Sequence, residues 1–401
     1  MFSFSLKNHM RICILTPRFP FPQYGGDALR INEVARHLKQ QGHKLILVSL
    51  SDEKVTPVEQ AQELYDRVYF INRNRIQSLI MGATHFLKGK PIQCGYYYSG
   101  KYKELLQKVI DKEEPDLYVS HLLRMVPYLC ELHLEKKSII EMTDALSKTY
   151  ILSSKAEGVG LLKYVYKLEQ RLIEKYEKFV TTHFPKVVLV SQADIDYLKK
   201  NIKGDTSSLA LHTNGVGYME NISTSYNVDK ICFLGNMRSM QNQDAALYFA
   251  NEVFPLVKKQ HPTAKFYIVG SLPPPNIQAI ASDDIIITGF VDNLEEFLQD
   301  ACLLVAPVRV AAGIQNKVLV GMGCGIPVVM TSLISHAIPE LQDGENCIIS
   351  DGAEALAASC HRLMTNREER NSIAIKGYNM VKNYYSWHEK LKGYEIMSYK
   401  G

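Results

Sequence analysis

Strand-like and helix-like segments alternate twice along this 401-residue chain, and this alternation constrains the fold more than any other feature. Strands joined by helices are typical of βαβ units, which build parallel sheets. We therefore predict an α/β protein with two parallel sheets. The strands predicted in the first half are Arg11–Thr16, Lys44–Leu50, Asp116–Ser120, Ser138–Glu141 and Val187–Val190. Those predicted in the second half are Ile231–Leu234, Lys265–Val269, Ile285–Ile287, Leu303–Ala306, Pro327–Met330 and Cys347–Ile349.

The chain is too long for a single compact core, so the sequence predicts two domains. The boundary is expected in the stretch 212–229, which is rich in Gly, Asn and Ser and has little periodicity. We expect a Rossmann-like domain over 1–214, a linker over 215–229 and a second Rossmann-like domain over 230–382. A C-terminal helix over 383–401 is predicted to pack back on the first domain, and the two sheets are predicted to face each other across an interdomain cleft.

Composition and charge exclude several other classes of protein. No run of 18 apolar residues is present, which argues against a membrane-spanning helix. Eight cysteines without paired or metal-ligand spacing predict a reducing, cytoplasmic setting and no metal site. Residues 1–226 hold 31 Lys and Arg against 24 Asp and Glu. This excess is too small for a nucleic-acid partner, but it favours peripheral association with an anionic membrane surface.

Three predicted strand-to-helix loops have features of anion sites. After the first strand, Gly25 and Gly26 either let backbone amides come close to a ligand at a helix N-terminus or simply form a tight turn. Later, Lys317 falls in the first turn of a helix, where the dipole disfavours a cation unless an anion is bound. A diphosphate held there by Lys317 and the backbone of Gly313, Ile314, Gln315 and Asn316 is the functional interpretation, and a solvent-facing lysine is the alternative. Arg238, in the loop GNMRSMQN, is either a phosphate ligand or an exposed loop residue.

Two residues of the first half follow predicted strands, at the sheet edge where ligands usually bind. His121 follows the strand Asp116–Ser120, and Asp144 follows Ser138–Glu141. A histidine and a carboxylate so placed can orient hydroxyls or carry protons, so both are candidate catalytic residues. Asp144 is equally well explained as a helix cap.

These segments together resemble the GT-B class of retaining glycosyltransferases, in the large bacterial glycosyltransferase family 4, and most nearly the sugar transferases of exopolysaccharide gene clusters. The most specific signal is GIQNKVL at 313–319 followed by GIPVV at 325–329. The resemblance also rests on TPRFPFPQYGGDALRINEVARHL (16–38), KPIQCGYYYS (90–99), EMTDALS (141–147), YKLEQRLIEKYE (166–177), HTNGV (212–216), FLGNMRSMQNQDAALYFANEVFPLV (233–257) and FYIVGSLPPP (266–275).

The resemblance implies transfer of a sugar from a nucleotide-sugar donor to a saccharide or lipid-linked acceptor, with no cofactor and no required metal. The second domain would bind the donor, and Arg238 and Lys317 would neutralise its diphosphate. The loop at Gly25 and Gly26 would approach the same diphosphate on domain closure. One departure is clear. The family uses two glutamates separated by seven residues, the second of which binds the ribose, and here Ala312 and Val320 stand at those positions. Glu340 is a candidate substitute, or a helix cap.

The missing glutamates leave alternatives open. A GT-B protein without catalysis could serve as a binding or scaffold subunit of a polysaccharide assembly system, and a sugar-nucleotide epimerase has the same two-domain fold.

Membrane contact is a further hypothesis. In the predicted helix over 160–179, one face carries the apolar residues Leu161, Leu162, Val165, Leu168 and Leu172, and lysines lie elsewhere. This pattern is typical of a helix that lies on a membrane surface. It is equally typical of a core helix with one solvated face.

Overall fold

The computed structural model describes residues 9–23, 25–52, 56–155, 162–223, 225–309 and 315–396. The chain divides into two compact units. The first unit comprises Met1–Asn214 together with Leu391–Gly401, and the second comprises Gly215–Lys390. Each unit is built on one parallel β-sheet flanked by helices, which confirms the predicted α/β class.

The first unit has a seven-stranded sheet in the order β3-β2-β1-β4-β5-β6-β7. Its strands are β1 (Arg11–Thr16), β2 (Lys44–Ser51), β3 (Arg67–Asn72), β4 (Leu117–His121), β5 (Ser138–Thr143), β6 (Lys186–Leu189) and β7 (Leu209–Leu211). Its helices are α1 (Gly26–Gln40), α2 (Val58–Gln62), α3 (Arg75–Leu87), α4 (Ile92–Tyr96), α5 (Gly100–Glu113), α6 (Val126–Glu131), α7 (Leu146–Lys155), α8 (Leu162–His183) and α9 (Gln192–Asn201). Chain order reverses between β1 and β4, which places the loops after these two strands side by side.

The second unit has a six-stranded sheet in the order β10-β9-β8-β11-β12-β13. Its strands are β8 (Asn227–Leu234), β9 (Lys265–Val269), β10 (Ile285–Gly289), β11 (Ala301–Ala306), β12 (Val328–Met330) and β13 (Ile348–Ile349). Its helices are α10 (Met240–Tyr248), α11 (Phe254–Gln260), α12 (Pro275–Gln278), α13 (Leu294–Leu298), α14 (Asn316–Gly323), α15 (Ser332–Ser335), α16 (Ala353–Thr365), α17 (Arg367–Met380) and α18 (Trp387–Lys390). The reversal of chain order lies between β8 and β11.

Helices cover both faces of each sheet, so the central strands are buried throughout. Every residue of β11 is inaccessible to solvent, as are residues 12–15 of β1. The cysteines of the central strands and of the turn after α14 are buried, and they are Cys13, Cys232, Cys302 and Cys324. A buried ion pair joins α1 to β5, since the Arg30 guanidinium lies 3.2 Å from the Glu141 carboxylate.

Several element bounds differ from the predictions. The predicted strand at Leu303 begins at Ala301, because Ala301 pairs with Asn227 across the sheet, and the preceding helix ends at Leu298. β8 likewise begins at Asn227, inside the stretch predicted as a linker. The helix after β8 begins at Met240 and passes through a π-turn at Phe249–Val253.

The C-terminal helix predicted over 383–401 is shortened to Trp387–Lys390. Gly393 has a left-handed backbone, with φ at 71°, which a helix interior does not accommodate. The carbonyls of Gly393 and Tyr394 accept hydrogen bonds from the Lys186 ammonium in place of helical partners. Residues 397–401 lie outside the described residues.

The face of α8 that was predicted to be apolar is not the buried one. Val165 and Leu168 are exposed, at 46% and 42%. The buried residues of this helix are instead Glu169, Ile173, Glu177, Val180 and Thr181. The buried carboxylates have backbone partners, because Glu169 accepts hydrogen bonds from the amides of Ile92 and Gln93 at the start of α4. Leu161 and the side chain of Leu162 lie outside what the structure describes.

Candidate functional sites at the switch points of the two sheets

A cavity of about 350 Å³ lies in the first unit beside the switch point between β1 and β4. The loop after β1 and the start of α1 form most of its wall, and residues after β2 and β4 complete it. Gly25, which precedes α1, has φ at 85°. A Cβ added to Gly25 or Gly26 would meet no described atom within 4 Å, so a ligand has room to approach the backbone here. The lining residues are Pro17, Arg18, Phe19, Pro20, Phe21, Pro22, Gly25, Gly26, Asp27, Ala28, Ile31, Asp52, His121 and Leu122.

His121, at the end of β4, lines this cavity and is 3% exposed. Burial, reinforced by the charges of Arg30 and Arg124, lowers the pKa of the imidazole to about 3. Neither ring nitrogen has a hydrogen-bond partner among the described residues. A buried polar group without a partner costs free energy, and a hydroxyl group bound at this cavity wall would supply one. A neutral imidazole can both donate to and accept from a hydroxyl group.

Asp144 lies directly after β5, but it is not one of the residues that line the cavity. Burial raises the pKa of its carboxyl group, and the charges of Asp194 and Asp27 raise it further. Asp27 does line the cavity, so Asp144 lies within electrostatic range of that wall without forming it. Its catalytic role remains a prediction.

Three arginines surround Tyr97, and sequence reasoning did not select any of them. The Arg18 guanidinium donates to the Tyr97 hydroxyl at 3.0 and 3.2 Å. The guanidinium carbons of Arg73 and Arg124 lie 4.8 and 5.0 Å from the centre of the Tyr97 ring. Asp52 binds Arg73 through both carboxylate oxygens, at 2.7 and 2.6 Å. Arg18 and Asp52 also line the cavity, so this cluster contributes one cation and one carboxylate to its wall. The segment KPIQCGYYYS, noted for its resemblance, was the only sequence signal.

In the second unit, the loop after β8 is held in place by short backbone contacts. A Cβ on Gly270, after β9, would lie 1.8 Å from the Gly235 carbonyl oxygen, so only glycine fits at that position. The Asn242 side-chain amide donates to the Asn236 carbonyl at 2.9 Å. The Asn236 side chain in turn accepts from the Arg238 amide at 3.0 Å, while the Arg238 side chain is exposed. The loop therefore presents a cation on a fixed backbone.

Lys317 is the second residue of α14, and its ammonium donates to the Asn242 side-chain oxygen. This contact joins the start of α14 to the start of α10, on either side of the switch point between β8 and β11. The ammonium also lies 4.9 Å from the centre of the Phe233 ring, and burial lowers the pKa of Lys317 to about 8. A half-buried cation at a helix N-terminus is electrostatically unfavourable, and a bound anion would stabilise it.

The other residues of the predicted donor site are placed as follows. Gln315 precedes α14 and is buried, and Asn316 is exposed at its first position. Gly313 and Ile314 lie outside the described residues, as does Ala312. Val320 is half-buried and packs against the hydrophobic core of the second unit. The Glu340 carboxylate accepts a hydrogen bond from the Tyr385 hydroxyl.

Within the described residues, no group of three or more His, Cys, Asp and Glu side chains is arranged to hold a metal ion. The helices of the described ranges also include none with the length and apolarity needed to span a membrane.

Comparison with known proteins agrees with this architecture. Residues 228–366 match the family model described as Glycosyl transferases group 1. A curated relative from Klebsiella pneumoniae, described as "Uncharacterized 44.6 kDa protein in cps region", is 21% identical over 388 residues, which is 94% of this chain and 96% of the relative.

Solved structures give the same result for the fold. The chain is similar to Anabaena Alr3699/HepE, crystallised with UDP and glucose, with a TM-score of 0.60, 13% identity and coverage of 96% and 98% of the two chains. A glycosyltransferase from Rickettsia africae gives a TM-score of 0.59 at 17% identity, covering 96% and 97%. WaaG, a glycosyltransferase involved in lipopolysaccharide biosynthesis, gives 0.57 at 13% identity, covering 97% and 100%. The chain therefore has the GT-B fold of glycosyltransferases, and most of its second unit matches the group 1 glycosyltransferases.

Proposed function

We propose that this protein is a glycosyltransferase that moves a sugar from a nucleotide-sugar donor to a saccharide or lipid-linked acceptor. The observation that carries the proposal is the match of residues 228–366 to the group 1 glycosyltransferases. The Anabaena protein of similar fold was crystallised with UDP and glucose, which supports a nucleotide-sugar donor. The cytoplasmic location expected from the cysteine pattern remains a prediction.

In the proposed reaction, the bond between the anomeric carbon and the diphosphate oxygen breaks, and the acceptor oxygen forms the new glycosidic bond. The acceptor hydroxyl loses its proton, and the nucleoside diphosphate leaves. Negative charge develops on the departing diphosphate, so a cation next to it lowers the barrier. Lys317 and Arg238 are the residues proposed for this role, together with the backbone at the start of α14. We further propose that the reaction retains the anomeric configuration and needs no metal.

In the first unit, the cavity beside β1 and β4 is the proposed acceptor site. His121 would hydrogen-bond a sugar hydroxyl as a neutral imidazole, because a group with a pKa of about 3 stays uncharged at neutral pH. Gly25 and Gly26 would let the ligand approach the start of α1. The Arg18 guanidinium on the cavity wall would contact anionic or hydroxyl groups of the ligand.

The test begins with calorimetric titration of the protein with UDP, GDP and dTDP. We expect one of the three to bind. We also expect that nucleoside diphosphate to be released from its sugar conjugates when a lipid-linked acceptor is present. Activity that persists in EDTA would support metal independence. A product that has the donor's anomeric configuration by NMR would support a retaining reaction. Product formation without an acceptor would indicate an epimerase instead.

A non-catalytic binding subunit is the second candidate, and the packing of Val320 favours it. A valine side chain facing the core cannot accept a hydrogen bond from a ribose, and the loss of a charge-assisted bond costs on the order of 1.5–3 kcal/mol. Absence of binding to all three nucleoside diphosphates would overturn the transferase proposal and leave this candidate.

A further inference from the structure

Helix α3 carries its large apolar side chains on the surface of the first unit. Ile76, Leu79, Ile80 and Leu87 are exposed to 72%, 66%, 60% and 85%. Their spacing places them on one side of the helix. We call this side the α3 face. A helix of a globular protein normally turns such residues toward the core, so their exposure indicates a partner.

The opposite side of α3 is built from small or polar residues. Ser78, Gly82 and His85 are the buried residues of this helix. A Cβ on Gly95 of α4 would lie 2.5 Å from the Met81 carbonyl oxygen, so the two helices pack with their backbones close together. This close packing fixes which side of α3 is inside. The α3 face is therefore held outward by the fold.

The segment around the α3 face is strongly cationic. Between Arg67 and Lys103 the sequence has seven Lys and Arg residues and no Asp or Glu. Three of the seven pair with carboxylates from elsewhere in the chain. For the other four, no ion pair within 4.0 Å is found among the described residues. These four are Arg75, Lys88, Lys90 and Lys101.

Three of these four cations lie beside α3. Arg75 is the first residue of the helix, and Lys88 follows its last residue directly. Lys101 lines the same small cavity as Gln77 of α3. The surface therefore combines an apolar stripe with a positively charged border.

A neighbouring helix exposes apolar residues as well. Tyr164, Val165 and Leu168 of α8 are exposed to 60%, 46% and 42%. The next residue, Glu169, binds the first two amides of α4, at 2.9 and 3.2 Å. Since α3 packs on α4 too, the two exposed apolar stretches belong to one group of three helices.

We propose that the α3 face binds the surface of an anionic lipid bilayer, with its apolar side chains inserted among the headgroups. Apolar insertion and attraction between basic residues and acidic lipids are the two terms that drive such binding. A second copy of the chain would bring two sets of unpaired cations together without acidic partners, which disfavours self-association through this face. The inference does not rest on the proposed sugar transfer, because its test measures binding and no turnover.

The experiment is co-sedimentation of the full chain with vesicles of phosphatidylcholine alone or mixed with phosphatidylglycerol. We expect the wild type to bind the mixed vesicles and to bind phosphatidylcholine weakly. The triple variant Ile76→Gln, Leu79→Gln, Ile80→Gln should lower the partition coefficient by at least about tenfold. The variant Arg75→Gln, Lys88→Gln, Lys90→Gln should lower binding to the mixed vesicles by about fivefold per charge and remove most of its salt dependence.

A matched control comes from the second unit. Phe290 and Ile375 are exposed to 69% and 43%, and Phe290→Gln with Ile375→Gln should leave vesicle binding unchanged. Unchanged thermal melting of all variants confirms that the substitutions act on the surface. The proposal is overturned if the wild type does not bind the mixed vesicles, or if the apolar triple variant binds them equally well. It is also overturned if the wild type is a dimer that the triple variant converts to a monomer, since the face is then covered by a second copy.

Discussion

At the scale of single residues, Lys317 shows how a binding role conflicts with stability. Burial lowers the pKa of its ammonium to about 8, below the ordinary value for lysine. Because the folded pKa lies below the unfolded one, the charged form opposes folding at neutral pH, and this cost decreases as pH rises from about 8 to the unfolded value of 10.5. A bound diphosphate would stabilise the charged form and so offset this cost.

We therefore predict that Lys317→Met raises the melting temperature at pH 7 while it weakens nucleoside diphosphate binding by about 10- to 100-fold. In the wild type, affinity should fall as pH increases above about 8, because the ammonium loses its proton. Calorimetric titration at pH 7 and pH 9 measures both effects. Lys317→Arg serves as the control, since it keeps its charge at pH 9. An unchanged affinity in Lys317→Met would remove Lys317 from the donor site.

His121 combines deep burial with two unpartnered ring nitrogens among the described residues. Its folded pKa of about 3 lies below the unfolded value, so protonation opposes folding, and stability is lost as pH falls below about 6.5. We predict that His121→Phe removes about 2 kcal/mol of the stability difference between pH 7 and pH 5. Urea unfolding at the two pH values tests this. If the variant is as acid-sensitive as the wild type, His121 is not the buried neutral group inferred from the structure.

At the scale of elements, the loops after β8 and β9 are locked together by two glycines. The Gly270 position leaves 1.8 Å between an added Cβ and the Gly235 carbonyl, and that carbonyl is backbone that cannot rotate away. Gly270→Ala must therefore displace the loop that carries Arg238. The same displacement would move Asn242, whose side chain binds both this loop and Lys317.

We predict that Gly270→Ala lowers the free energy of unfolding by about 1–3 kcal/mol or more and also weakens nucleoside diphosphate binding. Gly344→Ala is the matched control, because Gly344 has φ at 71° but no described atom within 4 Å of an added Cβ. Its cost should be limited to backbone strain of about 1–3 kcal/mol, with no change in binding. Chemical denaturation and calorimetry separate the two effects. Equal binding losses in both variants would show that the loop contact is not specific.

At the scale of the whole molecule, the end of the chain belongs to the first unit although it follows the second in sequence. Leu391 and Tyr394 are completely buried there. The Lys186 ammonium donates to the carbonyls of Gly393, Tyr394 and Ile396 at 2.9, 2.8 and 3.1 Å. The first unit therefore needs the last segment of the chain to complete its core.

Tyr394→Ala should lower the free energy of unfolding by about 3–5 kcal/mol, the usual cost of truncating a fully buried aromatic residue. Hydrogen–deuterium exchange should report lost protection in the first sheet rather than in the second. Ile396→Gln, at a side chain that is 57% exposed, should change neither measurement. Loss of protection confined to residues 215–390 would contradict the assignment of this segment to the first unit.

The sequence predicted most buried strands because a central parallel strand is covered on both faces and therefore has a continuous apolar run. β1 and β9 have the predicted bounds. β3 and β7 were missed. Both lie at the ends of the first sheet, where one side of a strand is less covered, and their sequences RVYFIN and LAL have weak or very short apolar signals.

The candidate sites were predictable only in part. Gly25, Gly26 and His121 follow strands, and topology brings them to one cavity, as the rule for parallel sheets suggests. The cluster around Tyr97 was not predictable, because Arg18, Arg73 and Arg124 come from three distant segments. Local sequence does not show that these arginines contact the same tyrosine, because that contact depends on how the loops pack.

Sequence alone determined the period of each element, and hence the α/β class, and it singled out the Lys317 segment as a candidate anion site. The tertiary structure decided which side of each element lies inside. On α3, the apolar residues have the spacing of a core face, yet the fold turns Ser78 and Gly82 inward, and on α8 it buries Glu169 while Leu168 is exposed. The reason is physical: periodicity is a property of one segment, whereas burial depends on the neighbour that packs against it.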